Sequence, residues 1–346
     1  MQNNQQEKKV LLRISHLKQW FPLKKTGFRS EQLYVKANDD ISLDIYEGET
    51  LGLVGESGCG KSTLGRVLLQ LYHQTEGKTM YYGRSVESLA PNYVAKALKN
   101  LESGRAKLRE LEAKRDRITK EYESLDEKGR RAKHHEKKQA EKEAYHQMLD
   151  LAQLIGGLLA APDLKPVSEA YQLQYQSAID LHKLNEACQQ LQIQQNALMT
   201  KAKEKKEAGK SDSAEQAKAL KMDAQIQKYQ KDILAKEKEL AERHAKVDAL
   251  REQHKNDPGF DEYEQYRDNG IDLAKLEYKE MRQLRKDLQL IFQDPYSSLN
   301  PRMTVGQIIG EGLLAHNFFA KNDDGMMDYI MKTMEDCGLA SYMIHR

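Results

Sequence analysis

Residues 50–65, TLGLVGESGCGKSTLG, constrain this chain more than any other stretch of its sequence. Gly55, Gly60, Lys61 and Ser62 fit the spacing G-x-x-x-x-G-K-[ST], and the apolar, β-branched run before them is typical of a buried strand. The pattern predicts a strand, a glycine-rich loop and a helix in direct succession. That is the local structure of a phosphate-binding loop.

The residue types in this loop suit a polyphosphate chain. Because glycine has no Cβ, backbone N–H groups can approach phosphate oxygens closely, and the helix that follows adds the positive end of its dipole. We expect Lys61 to reach the β and γ phosphates and Ser62 to bind Mg²⁺. The predicted nucleotide-binding residues in the loop are Gly55, Glu56, Ser57, Gly58, Cys59, Gly60, Lys61, Ser62 and Thr63, with Lys61 also predicted to be catalytic.

Composition narrows the class of protein. The chain has 346 residues and a net charge of only +2, so charge does not indicate a nucleic-acid partner. No apolar run approaches the ~18 residues of a membrane span, and the polar start is not a secretory signal, so any membrane association must come through a partner. The scattered residues Cys59, Cys188 and Cys337 suit a reducing cytosol. Cys59 is either a small neutral filler of the loop or a redox-sensitive thiol.

Hydrophobic periodicity predicts an α/β nucleotide-binding domain with an antiparallel flank. The predicted strands are residues 10–21, 33–37, 41–46, 50–54, 77–83 and 288–292. Residues 38–40 are expected to join the second strand to the third. The predicted helices of this part are residues 61–72, 304–317, with Thr304 as N-cap, and 324–337, ended by Gly338.

Residues 90–278 have a different composition, dominated by Lys, Glu, Gln, Ala and Leu. Two heptad patterns of apolar residues there predict coiled-coil seams, and each seam needs a partner helix. The first seam comprises Leu101, Leu108, Leu111, Ile118, Tyr122 and Leu125, with Arg115 as its polar exception. The second seam comprises Ala219, Met222, Ile226, Tyr229, Ile233, Leu240, Val247 and Leu250, interrupted by Lys236 and Arg243.

Breaks in the helical pattern leave three arrangements open for this middle region. The simplest is one antiparallel hairpin with its tip near residues 156–166. If the chain also turns near Gly129 and at residues 209–213, a short four-helix bundle results. The third possibility is a solvated, partly disordered charged segment.

The two flanking parts resemble a known family. LGLVGESGCGKSTLGRVLL together with DLQLIFQDPYSSLNPRMTV is similar to the ATPase subunit of ATP-binding cassette (ABC) transporters, in particular to the oligopeptide and dipeptide importer branch. The resemblance covers about residues 10–89 and 279–346. It implies an ABC-type P-loop domain over 1–89 and 279–346, interrupted by an all-α insertion over 90–278.

Several residue roles follow from the resemblance alone. Residues 55–62 correspond to the Walker A loop. Gln293 corresponds to the Q-loop glutamine, a catalytic residue that helps to bind Mg²⁺ and the attacking water through its uncharged carboxamide. Phe21, with Trp20 as second choice, matches the aromatic residue that stacks on adenine, although Phe21 also fits a strand residue packed into the domain.

The sequence also departs from the family pattern. About 190 residues, from about 90 to 278, intervene between the first β-rich part and the segment that carries Gln293. No signature motif, Walker B aspartate, adjoining catalytic glutamate or switch histidine follows Gln293. Catalysis of phosphoryl transfer depends on charge stabilisation around Mg²⁺ and the attacking water. We therefore expect this chain as written to bind Mg-ATP weakly and to hydrolyse it very slowly, as the N-terminal part of an importer ATPase.

The resemblance implies ATP and Mg²⁺ as ligands and a place on the cytoplasmic face of the cell membrane. It also implies a second ATPase subunit, two permease subunits and an extracytoplasmic peptide-binding protein as partners. One alternative function is a catalytically inactive nucleotide-binding adaptor whose helical arm recruits a partner. A DNA-repair or chromosome ATPase with a coiled-coil arm is disfavoured, because Gln293 follows the arm and the charge is balanced.

Overall fold

The computed structural model describes residues 8–25, 32–207, 211, 213–294, 298–316, 318–319 and 324–346. The chain divides into two compact units. One unit comprises Met1–Leu12 and Met80–Leu276, and the other comprises Arg13–Thr79 and Glu277–Arg346. None of the helices within the described ranges is both long and apolar enough to cross a bilayer.

Within the described residues, four strands form one sheet with the order β2-β1-β3-β4. β3 and β4 are antiparallel, with Met80 opposite Asp272 and Tyr81 opposite Ile271. The strands are β1, Val10–Pro22; β2, Tyr34–Tyr46; β3, Glu76–Tyr81; and β4, Ile271–Asp272. The strands predicted over 10–21 and 77–83 are therefore confirmed, with bounds that differ by one or two residues.

The prediction of two strands joined through residues 38–40 was wrong, because β2 runs through them without a turn. His16 on β1 and Asp40 on β2 both have left-handed backbones, with φ of 51° and 62°. His16 Nδ1 lies 2.7 Å from Asp40 Oδ1, and the His16 N–H donates to Ser42 Oγ at 2.9 Å. The two left-handed residues thus lie next to each other as a local bulge in both strands. The β2 strand continues on either side of this bulge.

The predictions of strands over residues 50–54 and 288–292 were also wrong. Both segments lack strand hydrogen bonding, and Val54 and Ile291 are 95% and 91% exposed. An extended segment becomes a strand only when a neighbouring strand supplies backbone donors and acceptors. None of the four strands described for this chain pairs with either segment. Their apolar composition is that of buried strands, yet residues 50–54 are exposed and Leu288 and Leu290 are only half-buried.

α1, Lys61–Leu68, packs its buried residues Leu64 and Val67 against Ile14 and Leu17 of β1. It is shorter than the predicted helix over 61–72. Gln70 adopts φ of 51°, and the Leu71 N–H donates back to the Arg66 carbonyl at 2.9 Å. The left-handed residue ends the helix, because the chain cannot continue an α-helix through it.

The helical unit begins with two short helices and continues with two long antiparallel pairs. The Arg105 guanidinium of the first pair donates hydrogen bonds to the carbonyls of Ala161 and Pro162, in the segment that joins the two pairs. The helices and 3₁₀ turns of this unit are α2, Val86–Leu89; α3, Asn92–Lys99; α4, Leu101–Ser124; α5, Glu127–Ile155; a turn, Gly156–Ala160; α6, Lys165–Glu207; α7, Ser213–His254; α8, Phe260–Glu264; and a turn, Leu273–Lys275.

The predicted coiled-coil seams are confirmed, and each pairs with the neighbouring helix in sequence. α4 packs on α5, with Leu101, Leu108 and Ile118 buried, and α6 packs on α7. Across the second pair, Gln195 Nε2 donates to the Ala219 carbonyl at 3.1 Å. In this pair the polar exceptions form ion pairs: Lys236 Nζ lies 3.4 Å from Asp180 and 2.9 Å from Glu239, and Arg243 lies 3.7 Å from Glu239.

The hairpin with its tip near residues 156–166 was wrong. The first hairpin turns at Asp126, whose side chain accepts the Gly129 N–H at 2.8 Å, and the second joins α6 to α7, where residues 208–210 and 212 lie outside the described ranges. Leu158 and Leu164 are completely buried, so the segment around 156–166 lies in the core between the hairpins. Apolar side chains there favour burial over a solvent-exposed tip.

A half-buried ion pair lies where the two hairpins meet. Arg251 at the end of α7 pairs with Glu264 of α8, and Arg251 also donates to the Ile155 carbonyl at 3.3 Å. The other Glu264 oxygen accepts the Gly157 N–H at 2.8 Å. Burial acts to raise the pKa of Glu264, but the hydrogen bonds from Arg251 and Gly157 outweigh it and lower this pKa overall.

The remaining helices are α9, Tyr278–Leu284, α10, Val305–Ala315, and α11, Asp324–Asp336, followed by a 3₁₀ turn, Ser341–His345. The predicted N-cap is confirmed: Thr304 Oγ1 accepts the Gln307 N–H, and Gln307 Oε1 accepts the Thr304 N–H. Gly338, with φ of 76°, follows α11 as predicted. Asn317, the predicted end of the preceding helix, lies outside the described residues.

Candidate phosphate-binding site

The loop before α1 has the backbone that its glycines were predicted to allow. Gly60 is the N-cap of α1 with φ of 95°, a left-handed conformation that favours glycine. A Cβ at Gly60 would lie 2.2 Å from the Ala37 carbonyl oxygen, and one at Gly55 would lie 2.7 Å from Cys59 Sγ. Backbone and side chains therefore approach these two positions more closely than any other residue type would permit.

The Lys61 side chain folds back over the loop. Its ammonium donates to the carbonyl oxygens of Gly55 and Glu56, at 2.8 and 2.7 Å, and lies 3.3 Å from Cys59 Sγ. The loop is tightened further because the Cys59 N–H donates to the Glu56 carbonyl at 3.3 Å. The positive charge thus lies within the curve of the loop, where an anion would meet it.

The other predicted loop residues are open to solvent. Glu56, Ser57, Gly58 and Cys59 are exposed, while Thr63 is half-buried. Ser62 is exposed in the first turn of α1, and a helix has no intrahelical partner for the N–H groups of its first turn. These backbone donors and the Ser62 hydroxyl are available to a ligand at the start of the helix.

Strand β2 supports the loop from one side, which the sequence did not predict. Asn38 is only 5% exposed, and its Nδ2 donates to the Gly60 carbonyl at 3.3 Å. Residues 38–40 had the composition of a turn, so no local signal placed Asn38 against the loop. Its position follows from β2 continuing through this region.

The two aromatic candidates already have partners within their unit. The Phe21 ring meets the Tyr72 ring edge-on, with centroids 5.5 Å apart and planes at 86°. Trp20 Nε1 donates to Asp39 at 3.1 Å, and the Lys36 ammonium lies 4.4 Å from the Trp20 ring centroid. Phe21 is half-buried, so part of its surface is open to a ligand.

Gln293 is exposed at a bend just after residues 288–292. Within the described part of the chain, no hydrogen bond joins Gln293 to Lys61 or Ser62. Without a strand to carry it, Gln293 is not brought to the loop by the sheet.

The loop suits a phosphate, because Gly55 and Gly60 allow a backbone conformation that a side chain would block and the Lys61 ammonium lies inside the curve. For a divalent cation the described residues offer less. They contain no cluster of three or more His, Cys, Asp or Glu side chains that could hold a metal ion. The Ser62 hydroxyl can supply one ligand, so Mg²⁺ binding here depends on phosphate oxygens and water for the others.

Comparison with known proteins identifies relatives of this chain. The family model for the ABC transporter matches residues 38–257, more than half of the 346 residues. The oligopeptide transport ATP-binding protein OppF of Bacillus subtilis (strain 168) is 54% identical over 76 residues, which are 22% of this chain and 23% of that protein. AppF of the same organism, also an oligopeptide transport ATP-binding protein, is 39% identical over 90 residues, 26% of this chain and 27% of AppF.

The OppF of Escherichia coli (strain K12) is 44% identical over 87 residues, 25% of this chain and 26% of that protein. The chain thus spans about a quarter of the length of the curated relatives that it matches. No solved structure matches it.

Proposed function

The chain belongs to the ABC transporter family, and on that premise we propose that it acts as an ATP-binding subunit of a system that imports oligopeptides or dipeptides. The names of its relatives, which are oligopeptide and dipeptide transport ATP-binding proteins, support the peptide branch. The observation that carries ATP binding is the position of the Lys61 ammonium, held within a loop that only glycine can form at Gly55 and Gly60.

The residues of the loop would divide the work of holding ATP. The Lys61 ammonium, released from the carbonyls of Gly55 and Glu56, would pair with the β and γ phosphates, and the N–H groups at the start of α1 would donate to phosphate oxygens. The Ser62 hydroxyl would bind Mg²⁺, and Gln293 would add a carboxamide oxygen. Hydrolysis of the bound ATP would supply the free energy for transport.

Phe21 is proposed to contact the adenine ring. Its ring is half-buried and packs at 86° against the Tyr72 ring, so part of its surface remains open to contact a flat base. Trp20 is a weaker candidate, because ammonium groups of Lys18 and Lys36 lie 5.3 and 4.4 Å from its ring centroid. Phe21→Leu and Trp20→Leu are each tested for their affinity for ATP and for inorganic triphosphate. The substitution that removes the adenine contact should weaken the binding of ATP and leave the binding of triphosphate unchanged.

Residues 1–89 and 279–346 would form the nucleotide-binding domain, and residues 90–278 would form a helical insertion that carries the two hairpins. The proposed partners are a second ATPase subunit, two permease subunits and, indirectly, an extracytoplasmic peptide-binding protein. The proposed location is the cytoplasmic face of the cell membrane, through the permease.

The direct test is a titration of the purified chain with a fluorescent ATP analogue, with and without Mg²⁺. We expect saturable binding that unlabelled ATP displaces and that Mg²⁺ strengthens, and we expect Ser62→Ala to remove the Mg²⁺ effect. No saturable binding at millimolar nucleotide would refute the proposal. Measuring phosphate release in the same samples separates an active ATPase from an inactive nucleotide-binding adaptor.

A further inference from the structure

The carbonyl oxygen of Gly60 is held by two donors from different elements. The Leu64 N–H donates to it at 2.9 Å as the first hydrogen bond of α1, and Asn38 Nδ2 of β2 donates to it at 3.3 Å. A Cβ at Gly60 would lie 2.2 Å from the Ala37 carbonyl oxygen and 2.9 Å from Asn38 Nδ2. The backbone of β2 therefore lies directly against the last peptide of the loop.

This contact sets the direction of the Lys61 N–H. The peptide between Gly60 and Lys61 is planar and trans, so its C=O and its N–H point to opposite sides. Once Asn38 and the Leu64 N–H hold the carbonyl, the Lys61 N–H faces away from β2. That N–H belongs to the first turn of α1, where it has no intrahelical acceptor and is available to an anion.

Packing alone does not account for an asparagine at this position. Asn38 is 5% exposed, and its Oδ1 is buried without a hydrogen-bond partner among the described residues. A buried acceptor without a donor is costly, and an apolar side chain of similar volume would avoid that cost. The amide is favoured here only by what its Nδ2 does, and the one acceptor described for that nitrogen is the Gly60 carbonyl.

We propose that Asn38 is a positioning residue of the phosphate site: its carboxamide holds the Gly60–Lys61 peptide in the orientation that presents the Lys61 N–H to a phosphate oxygen. The inference rests on the proposed function, because it requires the loop to bind phosphate. Asn38 itself does not contact the ligand, and it acts only through Gly60.

Two measurements test this role in the full chain. The first uses ¹³C-carbonyl glycine with ¹⁵N-lysine, which selects Gly-Lys peptides; the sequence contains three, at 60–61, 77–78 and 209–210. Lys61→Ala removes the 60–61 signal and so assigns it. In the nucleotide-free protein we expect Asn38→Leu to shift the 60–61 signal and to leave the 209–210 signal in place.

The second measurement is the affinity for inorganic pyrophosphate and for Mg-ATP by calorimetric titration. We expect Asn38→Leu to weaken both about tenfold, the loss that accompanies one well-formed hydrogen bond. Asn38→Asp keeps the shape of the side chain but loses the donor and adds a charge near the phosphates, so we expect a larger loss. Asn196→Leu, the same substitution at an exposed position of α6, should change neither affinity.

The outcomes separate this inference from the proposed function. If wild type binds pyrophosphate and Asn38→Leu binds it equally well, or if the 60–61 signal does not move, the positioning role is wrong while the function stands. If wild type binds neither pyrophosphate nor Mg-ATP, the proposed function and the positioning role both fall. A changed thermal unfolding midpoint with unchanged affinities would show a purely structural role and would likewise overturn the inference.

Discussion

The ammonium of Lys61 donates to the carbonyl oxygen of Gly55 at 2.8 Å, so the residue proposed to bind phosphate also holds the loop on itself. A phosphate that binds here must compete for this ammonium with two backbone carbonyls. The competition is favourable for the phosphate, because its negative charge attracts the ammonium more strongly than a neutral carbonyl does. The loop is therefore preformed, and the ammonium can exchange its carbonyl partners for a phosphate.

Replacing Lys61 by alanine should abolish detectable Mg-ATP binding. The substitution removes the charge that pairs with the phosphates, and we expect a loss of at least about a hundredfold, or ~2.7 kcal/mol. A fluorescent-nucleotide titration measures it. Lys203→Ala, at an exposed position of α6, is the control and should bind as wild type does. Unchanged affinity in Lys61→Ala would remove the phosphate-loop assignment.

Gly60→Ala should destabilise the loop and its unit. The new Cβ would lie 2.2 Å from the Ala37 carbonyl oxygen, at a residue with φ of 95°. We expect the free energy of unfolding to fall by about 1–3 kcal/mol. Gly52→Ala is the matched control, because a Cβ there meets nothing within 4 Å and its effect should stay within about 0.5 kcal/mol. Urea unfolding compares the two, and equal stabilities would contradict the packing of β2 against the loop.

Glu264→Gln should lower the stability of the helical unit in a pH-dependent way. Because the folded protein lowers the pKa of Glu264 below its ordinary value of 4.5, the stabilisation is present above that pH and is lost as the pH falls through the folded pKa. We expect a loss of about 1–3 kcal/mol at pH 7 that shrinks in acid.

Urea unfolding followed by helical circular dichroism at pH 7 and at pH 3 gives both values for Glu264→Gln. The control is Glu252→Gln, an exposed partner of Lys255, whose effect should stay below about 1 kcal/mol at either pH. A loss in Glu264→Gln that is equal at the two pH values would show that ionisation of this carboxylate is not its source.

Zero-length carbodiimide cross-linking should distinguish two hairpins from one. Within the first hairpin Lys114 Nζ lies 2.9 Å from Glu143, and within the second Lys236 Nζ lies 3.4 Å from Asp180. We expect amide links between these two pairs in peptide mass spectra. Links between α4 and α7 in place of these would support the single long hairpin. Lys114→Arg should remove only the link between α4 and α5, and Lys236→Arg only the link between α6 and α7, because the guanidinium does not form the amide.

Most of what could be predicted from sequence depended on neighbours along the chain. The heptad spacing predicted both coiled-coil seams, since residues three and four apart share one face of a helix. The Thr304 cap with Gln307 was predictable for the same reason. The sequence did not predict which helices pair, because the burial of Leu158 and Leu164 depends on helices far along the chain.

The loop of Gly55, Gly60, Lys61 and Ser62 was determined by the sequence itself, because its conformation and charge come from residue types within eight consecutive positions. Only the tertiary structure decided that Asn38 holds the Gly60 carbonyl, that residues 50–54 and 288–292 stay outside the sheet, and which helices pair. These features share one physical cause. Hydrogen bonds and burial need a partner, and the sequence does not say which distant segment will be present to supply it.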